Sequence, residues 1–381
     1  MKHPPRILLI SCVLVSILVF LPGKARAIPP AVEPPAENAL EEVTPGSWTL
    51  VVFPDTQYYV DHTRRVPPTP EVFQAMTDWV VANRDDRNIG LVLHVGDIVD
   101  NNTDEEWRMA KDILGVLDGE VPYVLATGNH EYTGNADVRE TDLNEWFRAS
   151  DNPLNDPAAG GILAATMEPD HLENAAYRWV APDGRRFLIF SLEWGVRDRS
   201  LVWANELLEN GSYADHTGIL VTHAYLYHDN TLYDWEAYGN QQSANPHRYG
   251  TAATGDTNDG REIWVNLVKR HALFEMVFCG HVSGKRSERL FTNDDAEIGY
   301  RLGVGSSGNR VHQMLFNAQR QGDAGEGWLR LLEFQPDGKT VVVKTYSPWL
   351  DARGLDAWRT DPANYFSIQL SPLPDAANHS P

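Results

Sequence analysis

The fold of this chain is decided by the stretch Leu91-Val-Leu-His-Val-Gly-Asp-Ile-Val-Asp-Asn-Asn102. It begins as an apolar run rich in branched side chains, which is typical of a strand buried on both faces. The run breaks at Gly96 and Asp97, and Asp100 follows on the same turn. Ligands and catalytic groups gather at the carboxyl ends of strands in α/β sheets, where two nearby carboxylates can converge on one cation. An ordinary strand with a capped turn would have the same local sequence. Whether this strand end binds a ligand is therefore judged by whether other strands of the chain also end in such side chains.

Apolar strands of this kind recur along the chain and alternate with helical patterns. Residues 48–53, 89–95 and 121–126 are predicted strands, and the spacing of apolar residues predicts helices at 71–84 and 104–117 between them. Such alternation favours parallel βαβ units. Pro-Asp-Gly turns at 182–184 and 336–338 favour antiparallel hairpins at these positions. The sequence therefore predicts an α/β fold with mixed sheets.

Five predicted strand ends carry carboxylates, side-chain amides or imidazoles. In chain order they are Asp55 with Gln57, Asp97 with Asp100, Asn129 with His130, His223, and His281. These groups suit the divalent ions of Mn, Fe, Zn or Co, and no cluster of thiolates competes with them. A shared carboxylate can bridge two ions roughly 3.5–4 Å apart, a geometry that activates water and clamps a transferring phosphoryl group. Each residue alone says little, but their joint placement predicts a metal centre.

The composition limits the classes of partner. The 381 residues include 53 Asp and Glu against 32 Lys and Arg, for a net charge of −21. This acidic balance argues against a nucleic acid or an anionic membrane as a bulk electrostatic partner, although a metal site can still hold a phosphate locally. A chain of this length can bury a large core, either as one α/β domain or as two smaller ones.

The first 27 residues have the pattern of an export signal. Lys2 and Arg6 precede an apolar run at 7–21, and Ala25-Arg-Ala27 has small residues at the cleavage spacing. The run is short for a membrane span, so we expect removal of residues 1–27 rather than anchoring. The mature protein would then be periplasmic or extracellular, with no transmembrane segment.

The remaining chain divides into a main domain and its flanks. Residues 28–45, rich in Pro, Glu and Ala, are expected to form a flexible lead-in to a domain at 46–350, followed by a C-terminal extension at 351–381. Within the domain, residues 151–173 are expected to be a surface insertion. Residues 225–260 mix aromatic side chains with Asn, Asp and Gly, and a long irregular loop beside a catalytic edge favours a lid, with a disordered insertion as the alternative.

The order of these motifs resembles one known family. The motifs Asp55-Thr-Gln57, Gly96-Asp97-Ile-Val-Asp100, Gly128-Asn-His-Glu131, His223 and Gly280-His281 are similar to those of the calcineurin-like metallophosphoesterases, in particular exported bacterial members. The resemblance implies a four-layer αββα sandwich, in which two mixed β-sheets are flanked by helices. It also implies a dinuclear metal centre and a phosphate-ester substrate.

The resemblance further implies a role for each motif residue. Asp97 would bridge the two ions. The other ligands would be Asp55 and Gln57 on the first ion, and Asn129, His223 and His281 on the second. His130 would protonate the leaving alkoxide. Asp100 would orient His130, since a carboxylate partner fixes the tautomer of an imidazole and raises its pKa.

Two positions depart from the family pattern, and both fall on the first ion. Gln57 stands where the family has His, and Ser283 stands where the family's last motif, Gly-His-x-His, has its second His. Amide and hydroxyl oxygens bind these metals more weakly than imidazole. Three outcomes are open: a labile ion, a preference for Mn²⁺ or another hard ion, or recruitment of another ligand. His312 is the candidate for that ligand, with a structural histidine as the favoured alternative.

The predicted function is that of an exported, metal-dependent phosphoesterase. It would hydrolyse a phosphomonoester or phosphodiester by in-line attack of a metal-activated hydroxide. A second hypothesis is a metal-stabilised surface-binding module whose first site is too weak for catalysis, although His130 and Asp100 would then have no purpose. A third is a hydrolase on the same scaffold that acts on a pyrophosphate or a phospholipid head group.

Overall fold

The structure is a computed structural model that describes residues 42–63, 68–211, 213–282 and 297–373. Within these ranges the chain forms two mixed β-sheets of seven strands each. The expected signal segment at 1–27, most of the lead-in and Ser283 lie outside the described residues.

The strand bounds follow the apolar runs of the sequence closely. The strands are β1 (Trp48–Phe53), β2 (Ile89–His94), β3 (Tyr123–Leu125), β4 (Leu163–Thr166), β5 (Ala175–Val180), β6 (Arg186–Leu192), β7 (His216–Thr222), β8 (Phe274–Cys279), β9 (Ile298–Val304), β10 (Arg310–Phe316), β11 (Leu329–Phe334), β12 (Thr340–Tyr346), β13 (Trp358–Arg359) and β14 (Phe366–Gln369). The first sheet has the order β13-β12-β11-β1-β2-β3, with β14 also paired to β12, and the second has the order β4-β5-β6-β7-β8-β10-β9.

The helices are four longer ones and several single turns. They are α1 (Gln57–Val60), α2 (Pro70–Ala82), α3 (Asp104–Leu114), α4 (Thr133–Ala136), α5 (Leu143–Trp146), α6 (Asp198–Asn210), α7 (Trp235–Tyr238), α8 (Gly260–Asn266) and α9 (Pro348–Asp351). Thr103 caps α3, where its hydroxyl accepts a hydrogen bond from the Glu106 backbone N–H. None of the helices in the described ranges has both the length and the apolar character needed to span a bilayer.

Three apolar clusters define four layers. One cluster lies between the sheets, where Trp48, Leu50 and Val52 of β1 meet side chains of the second sheet. A second cluster packs α2 and α3 on the outer face of the first sheet, and a third packs α6 and α8 on the outer face of the second. β1 is buried along its whole length, because helices cover one face of its sheet and the second sheet covers the other. The predicted αββα sandwich is confirmed.

Parallel pairing brings several strand ends to the same edges. In the first sheet β1, β2 and β3 are parallel, and in the second sheet β6, β7, β8 and β10 are parallel. The loops that follow these strands therefore emerge at the carboxyl edge of each sheet. This arrangement sets the position of the predicted ligands.

Two segments that the sequence placed outside the sheets contribute strands to them. β4 lies within the expected insertion at 151–173 and pairs antiparallel with β5. β13 and β14 lie within the expected C-terminal extension and pair with β12. Leu163–Thr166 has little β-propensity of its own, so it forms a strand because the neighbouring edge offers hydrogen bonds.

Trp48 of the first sheet contacts aromatic side chains of both sheets. It is 1% exposed, stacks on Phe334 at a centroid distance of 3.8 Å, and meets the edges of Trp179 and Phe187 from the second sheet. We expect Trp48→Ala to lower the free energy of unfolding by about 3–5 kcal/mol, because it removes a large buried ring and leaves a cavity. Urea denaturation measures the change.

The control for this prediction is Val180→Ala, in the strand that carries Trp179. Val180 is 62% exposed, so its truncation should change the free energy of unfolding by about 0.5 kcal/mol or less. Equal effects of the two substitutions would contradict the assignment of Trp48 to the inter-sheet core.

Candidate metal centre

The loops after β1, β2, β7 and β8 converge between the two sheets. His223 Nε2, from the second sheet, lies 3.1 Å from Asp97 Oδ2 of the first. The backbone N–H of His281 donates to the Asp55 carboxylate at 2.9 Å, and the backbone N–H of His130 donates to Asp97 Oδ1 at 3.1 Å. The structure thus brings together ligand candidates that are far apart in the chain.

The donor atoms at this point fit a divalent cation. Asp97, His223 and His281 offer ligand atoms that all lie within 4.8 Å of one another. Gln57 Oε1, Asn129 Oδ1 and His223 Nε2 are buried and have no hydrogen-bond partner. Ligands held at about 2.0–2.2 Å from one ion lie about 3 Å apart, as His223 and Asp97 do. Buried polar atoms without a partner are costly, and bound cations would satisfy them.

Three histidines each have one ring nitrogen fixed by a backbone carbonyl. Nδ1 of His223 contacts the Val95 carbonyl at 2.8 Å, Nε2 of His281 contacts the Ala244 carbonyl at 2.7 Å, and Nδ1 of His130 contacts the Asp100 carbonyl at 2.7 Å. A carbonyl can only accept, so each of these nitrogens carries the proton. The other nitrogen of each ring is left for a metal or a substrate, as is usual in metal sites.

The charges at the centre are strongly coupled. Burial disfavours the charged imidazole, but the carboxylates of Asp97 and Asp55 outweigh it and raise the pKa of His223 to about 9. Burial raises the pKa of Asp55 well above its usual value, whereas for Asp97 the attraction of His223 and His130 outweighs burial and lowers the pKa. Burial and the charge of His223 lower the pKa of His281 to about 3, so it is neutral and able to act as a ligand. The two carboxylates need a positive partner, which either a proton or a cation can supply.

Glu131 shapes the loops that carry the ligands. Its buried carboxylate accepts the backbone N–H groups of Asp97, Ile98, Val99 and Gly128, and so ties the loop after β2 to the loop after β3. The sequence motif contains Glu131, but the sequence analysis gave it no role. Burial, with the neighbouring charge of Asp97, raises its pKa to about 7.

Two glycines permit the close approach of these loops. A Cβ at Gly128 would lie 2.0 Å from Asp97 Oδ1, and one at Gly280 would lie 2.1 Å from Asp55 Oδ1. Asp97 and His281 themselves adopt left-handed backbone angles, with φ of 53° and 75°. Such conformations are strained for residues with a side chain and concentrate at functional sites.

Asn129 is oriented by a neighbour that the sequence did not single out. Its side-chain Nδ2 donates to Asn135 Oδ1 at 2.5 Å, which leaves Asn129 Oδ1 unpartnered and available as a ligand. Asn135 lies in a short left-handed stretch, with positive φ also at Gly134 and Ala136. The loop after β3 therefore presents an oxygen rather than an N–H₂ group to the centre.

His130 lies at the rim of the centre beside Asp100. The Asp100 carbonyl is its closest partner, and the carboxylate Oδ1 lies 3.3 Å from the same nitrogen. Burial lowers the pKa of His130, but the charges of Asp97 and Asp100 outweigh it and raise the pKa overall. Burial also raises the pKa of Asp100 to about 6. The protonated imidazole is therefore stabilised where a leaving group could receive its proton.

The side of the centre near Asp55 and Gln57 contains two residues that the sequence analysis missed. Asn317 and Gln319 follow β10, and their side chains hydrogen-bond to Asp55 and Gln57, respectively. Both follow a predicted strand, but the parallel pairing of β10 with β8, which brings them to this edge, is visible only in the structure. His312, the candidate replacement ligand, instead contacts Tyr300 Oη and the Gln369 carbonyl, which fits its structural interpretation.

The expected lid at 225–260 packs directly on the centre. Its Ala244 carbonyl contacts the ring of His281. Its Tyr249 ring lies 4.8 Å from the Trp194 ring, and the Trp194 ring lies 4.9 Å from the His281 ring, measured between centroids. Aromatic rings therefore form the wall beside the histidine ligands.

Comparison with known proteins identifies relatives of the chain. Residues 49–283 match the sequence model of the family described as Calcineurin-like phosphoesterase. "Uncharacterized protein YvnB" of Bacillus subtilis is 28% identical over 339 residues, which cover 88% of this chain and 23% of that protein. "Probable glycerophosphodiester phosphodiesterase GpdQ" of Arcobacter nitrofigilis is 37% identical over 62 residues, which cover 16% of this chain and 22% of that protein. The chain thus spans less than a quarter of the length of these curated relatives.

Solved structures with a similar arrangement include two hydrolases. The purple acid phosphatase PPD1 of yellow lupin (Lupinus luteus) seeds has a TM-score of 0.45 and 13% identity, covering 87% of this chain and 55% of that chain. The NAD nucleotidase NadN of Haemophilus influenzae has a TM-score of 0.39 and 11% identity, covering 85% and 50%. The sequence match at 49–283 covers more than half of the chain and includes loops of the candidate metal centre, so the chain belongs to the calcineurin-like phosphoesterase family.

Proposed function

We propose that this protein hydrolyses phosphate esters at the centre around Asp97. The observation that supports this most is the group of buried donor atoms without hydrogen-bond partners, contributed by both sheets, with an oriented histidine at its rim. A structural metal site would not need His130. Family membership supports the same reaction class, a metal-dependent hydrolysis of a phosphoric ester.

The proposed ligand set follows the positions of the side chains. The first ion would be held by Asp97, Asp55 and Gln57, and the second by Asp97, Asn129, His223 and His281. Divalent ions in such a pair activate water and neutralise the charge of the transferring phosphoryl group. Carboxylate, amide and imidazole donors fit Mn, Fe, Zn or Co.

The chain's own residues prepare the remaining steps. Glu131 and the backbone N–H groups hold Asp97 in one orientation, so the ligands need little rearrangement on binding. His130, with Nδ1 fixed by Asp100, presents Nε2 to the leaving oxygen and donates its proton as the ester bond breaks. The substrate would be a phosphomonoester or a phosphodiester.

Export is part of the proposal, on the basis of the charged and apolar pattern of residues 1–27. N-terminal sequencing of the secreted protein tests it, with a new terminus after Ala27 expected. An intact signal segment on the cell-associated protein would contradict export.

Metal dependence is the first property to measure. Elemental analysis of the purified protein should find about two metals per chain, and chelation should abolish hydrolysis in a way that added Mn²⁺ reverses. Assays with bis(4-nitrophenyl) phosphate and 4-nitrophenyl phosphate assign the ester class. One tightly held metal with no turnover of either ester would contradict the proposal and support the surface-binding module.

The role of His130 is tested by the leaving group. We expect His130→Gln to lower kcat by about 10²–10⁴-fold on esters with poorly acidic leaving alcohols, because general-acid catalysis is lost. The loss should shrink for 4-nitrophenolate, which leaves without a proton. The measurement is kcat across esters of graded leaving-group pKa, with metal content determined in parallel.

The matched control is His216→Gln, at the opposite end of the strand that leads to His223. His216 contacts Asp215 and lies away from the centre. It should leave kcat and its leaving-group dependence unchanged. An equal loss for all leaving groups in His130→Gln would rule out the general-acid role.

A further inference from the structure

Gln57 and Gln319 form a buried pair of amides beside Asp97. Gln57 is 0% exposed and Gln319 is 6% exposed. Gln57 Nε2 lies 2.5 Å from Gln319 Oε1 and 3.3 Å from Asp97 Oδ2. Gln57 Oε1 is buried without a hydrogen-bond partner. A structural amide pair would normally use both ends of each amide, so this pair is incomplete without a further group.

The position of Gln319 is fixed to the centre by its own loop. The Gln319 backbone N–H donates to Asn317 Oδ1 at 2.9 Å, and Asn317 Nδ2 donates to Asp55 Oδ2 at 2.9 Å. Both amide ends of Asn317 are therefore used, which makes Asn317 a positioning residue. Because β10 runs parallel to β8, this loop emerges beside the one that carries His281.

A half-turn of the Gln57 amide exchanges its oxygen and nitrogen without changing its shape. In that orientation oxygens of Gln57, Gln319 and Asp97 face one another. The Gln57 oxygen then lies where Nε2 lies now, 2.5 Å from the Gln319 oxygen and 3.3 Å from the Asp97 oxygen. Adjacent oxygens bound at about 2.0–2.1 Å to one octahedral Mg²⁺ lie about 2.9 Å apart, which falls between these two separations. Without a cation these oxygens repel one another, so the orientation with the nitrogen inward is preferred.

We propose that Gln319 is a ligand of the first ion and, with Gln57, Asp55 and Asp97, makes that site an all-oxygen site selective for Mg²⁺ or Mn²⁺. This rests on the proposed function, because it assumes a metal at Asp97. The second site, with His223 and His281, offers nitrogen donors and suits borderline metals such as Zn²⁺. The two sites of the centre therefore differ in the class of ion that they take, and Gln319 takes the place of an imidazole in the first.

The test is a titration of the metal-free, full-length protein with Mn²⁺, in which bound ions are counted by equilibrium dialysis and electron paramagnetic resonance. The native protein should bind two ions. Gln319→Leu should weaken one of the two sites by about 10–100-fold and leave the other unchanged. Gln319→Glu, which keeps the oxygen and adds charge, should retain both sites. Zn²⁺ bound at the histidine site should be unaffected by either substitution.

The matched control is Gln321→Leu, in the same loop, whose side chain contacts Glu297 rather than the centre. It should bind two Mn²⁺ ions with native affinity.

Two native-affinity sites in Gln319→Leu would overturn the proposal and leave Gln319 as a hydrogen-bond partner only. Loss of Mn²⁺ binding in both Gln319→Glu and Gln319→Leu would also overturn it, because the oxygen would not be what the ion requires. The experiment counts bound ions and does not measure hydrolysis. A protein that binds two ions but hydrolyses no ester would therefore contradict the proposed function and leave the assignment of Gln319 as a ligand intact.

Discussion

The two sheets bury a pair of carboxylates between them, and the positions of the surrounding histidines, backbone N–H groups and glycines follow from that burial. Asp55 and Asp97 are 1% and 2% exposed. Taking a carboxylate out of water costs several kcal/mol unless positive charge or hydrogen-bond donors surround it. This explains why the imidazoles of His223 and His281 approach from the opposite sheet and why backbone N–H groups point at both carboxylates. It also explains the glycines beside these residues, because any side chain there would push a carboxylate away from its partners.

The sequence predicted the layers and most of the centre because both follow from strong local patterns. Apolar runs that end in a carboxylate, amide or imidazole mark parallel strands and the edge where they stop, and five such ends gave Asp55, Asp97, Asn129, His223 and His281. Asn317 and Gln319 follow a strand in the same way, but amides after a strand are also ordinary turn residues, so nothing local distinguished them. The edge strands β4, β13 and β14 could not be predicted because their partners, rather than their own propensity, make them strands.

The segment at 225–260 acts on the centre through the orientation of a ligand. The Ala244 carbonyl holds Nε2 of His281, and a second contact of this kind is what normally fixes the tautomer and the ring plane of a metal-binding histidine. Here that contact comes from a loop packed against Trp194 through Tyr249, rather than from the core strands. The geometry of the proposed second metal site is thus linked to the packing of the loop that covers it.

The proposed ligands come from both sheets, and this gives a bound ion a mechanical role. Asp55, Asp97 and Asn129 follow strands of the first sheet, whereas His223 and His281 follow strands of the second. An ion held by both groups would link residues far apart in the chain, and because it would bind the folded state and be released on unfolding, it would stabilise the fold by mass action. In the described part of the chain Cys279 is a free, buried thiol, so a bound ion, rather than a disulfide of Cys279, would provide this link. At a free ion concentration about 1,000 times its dissociation constant, such a link adds about 4 kcal/mol to the stability of the sandwich.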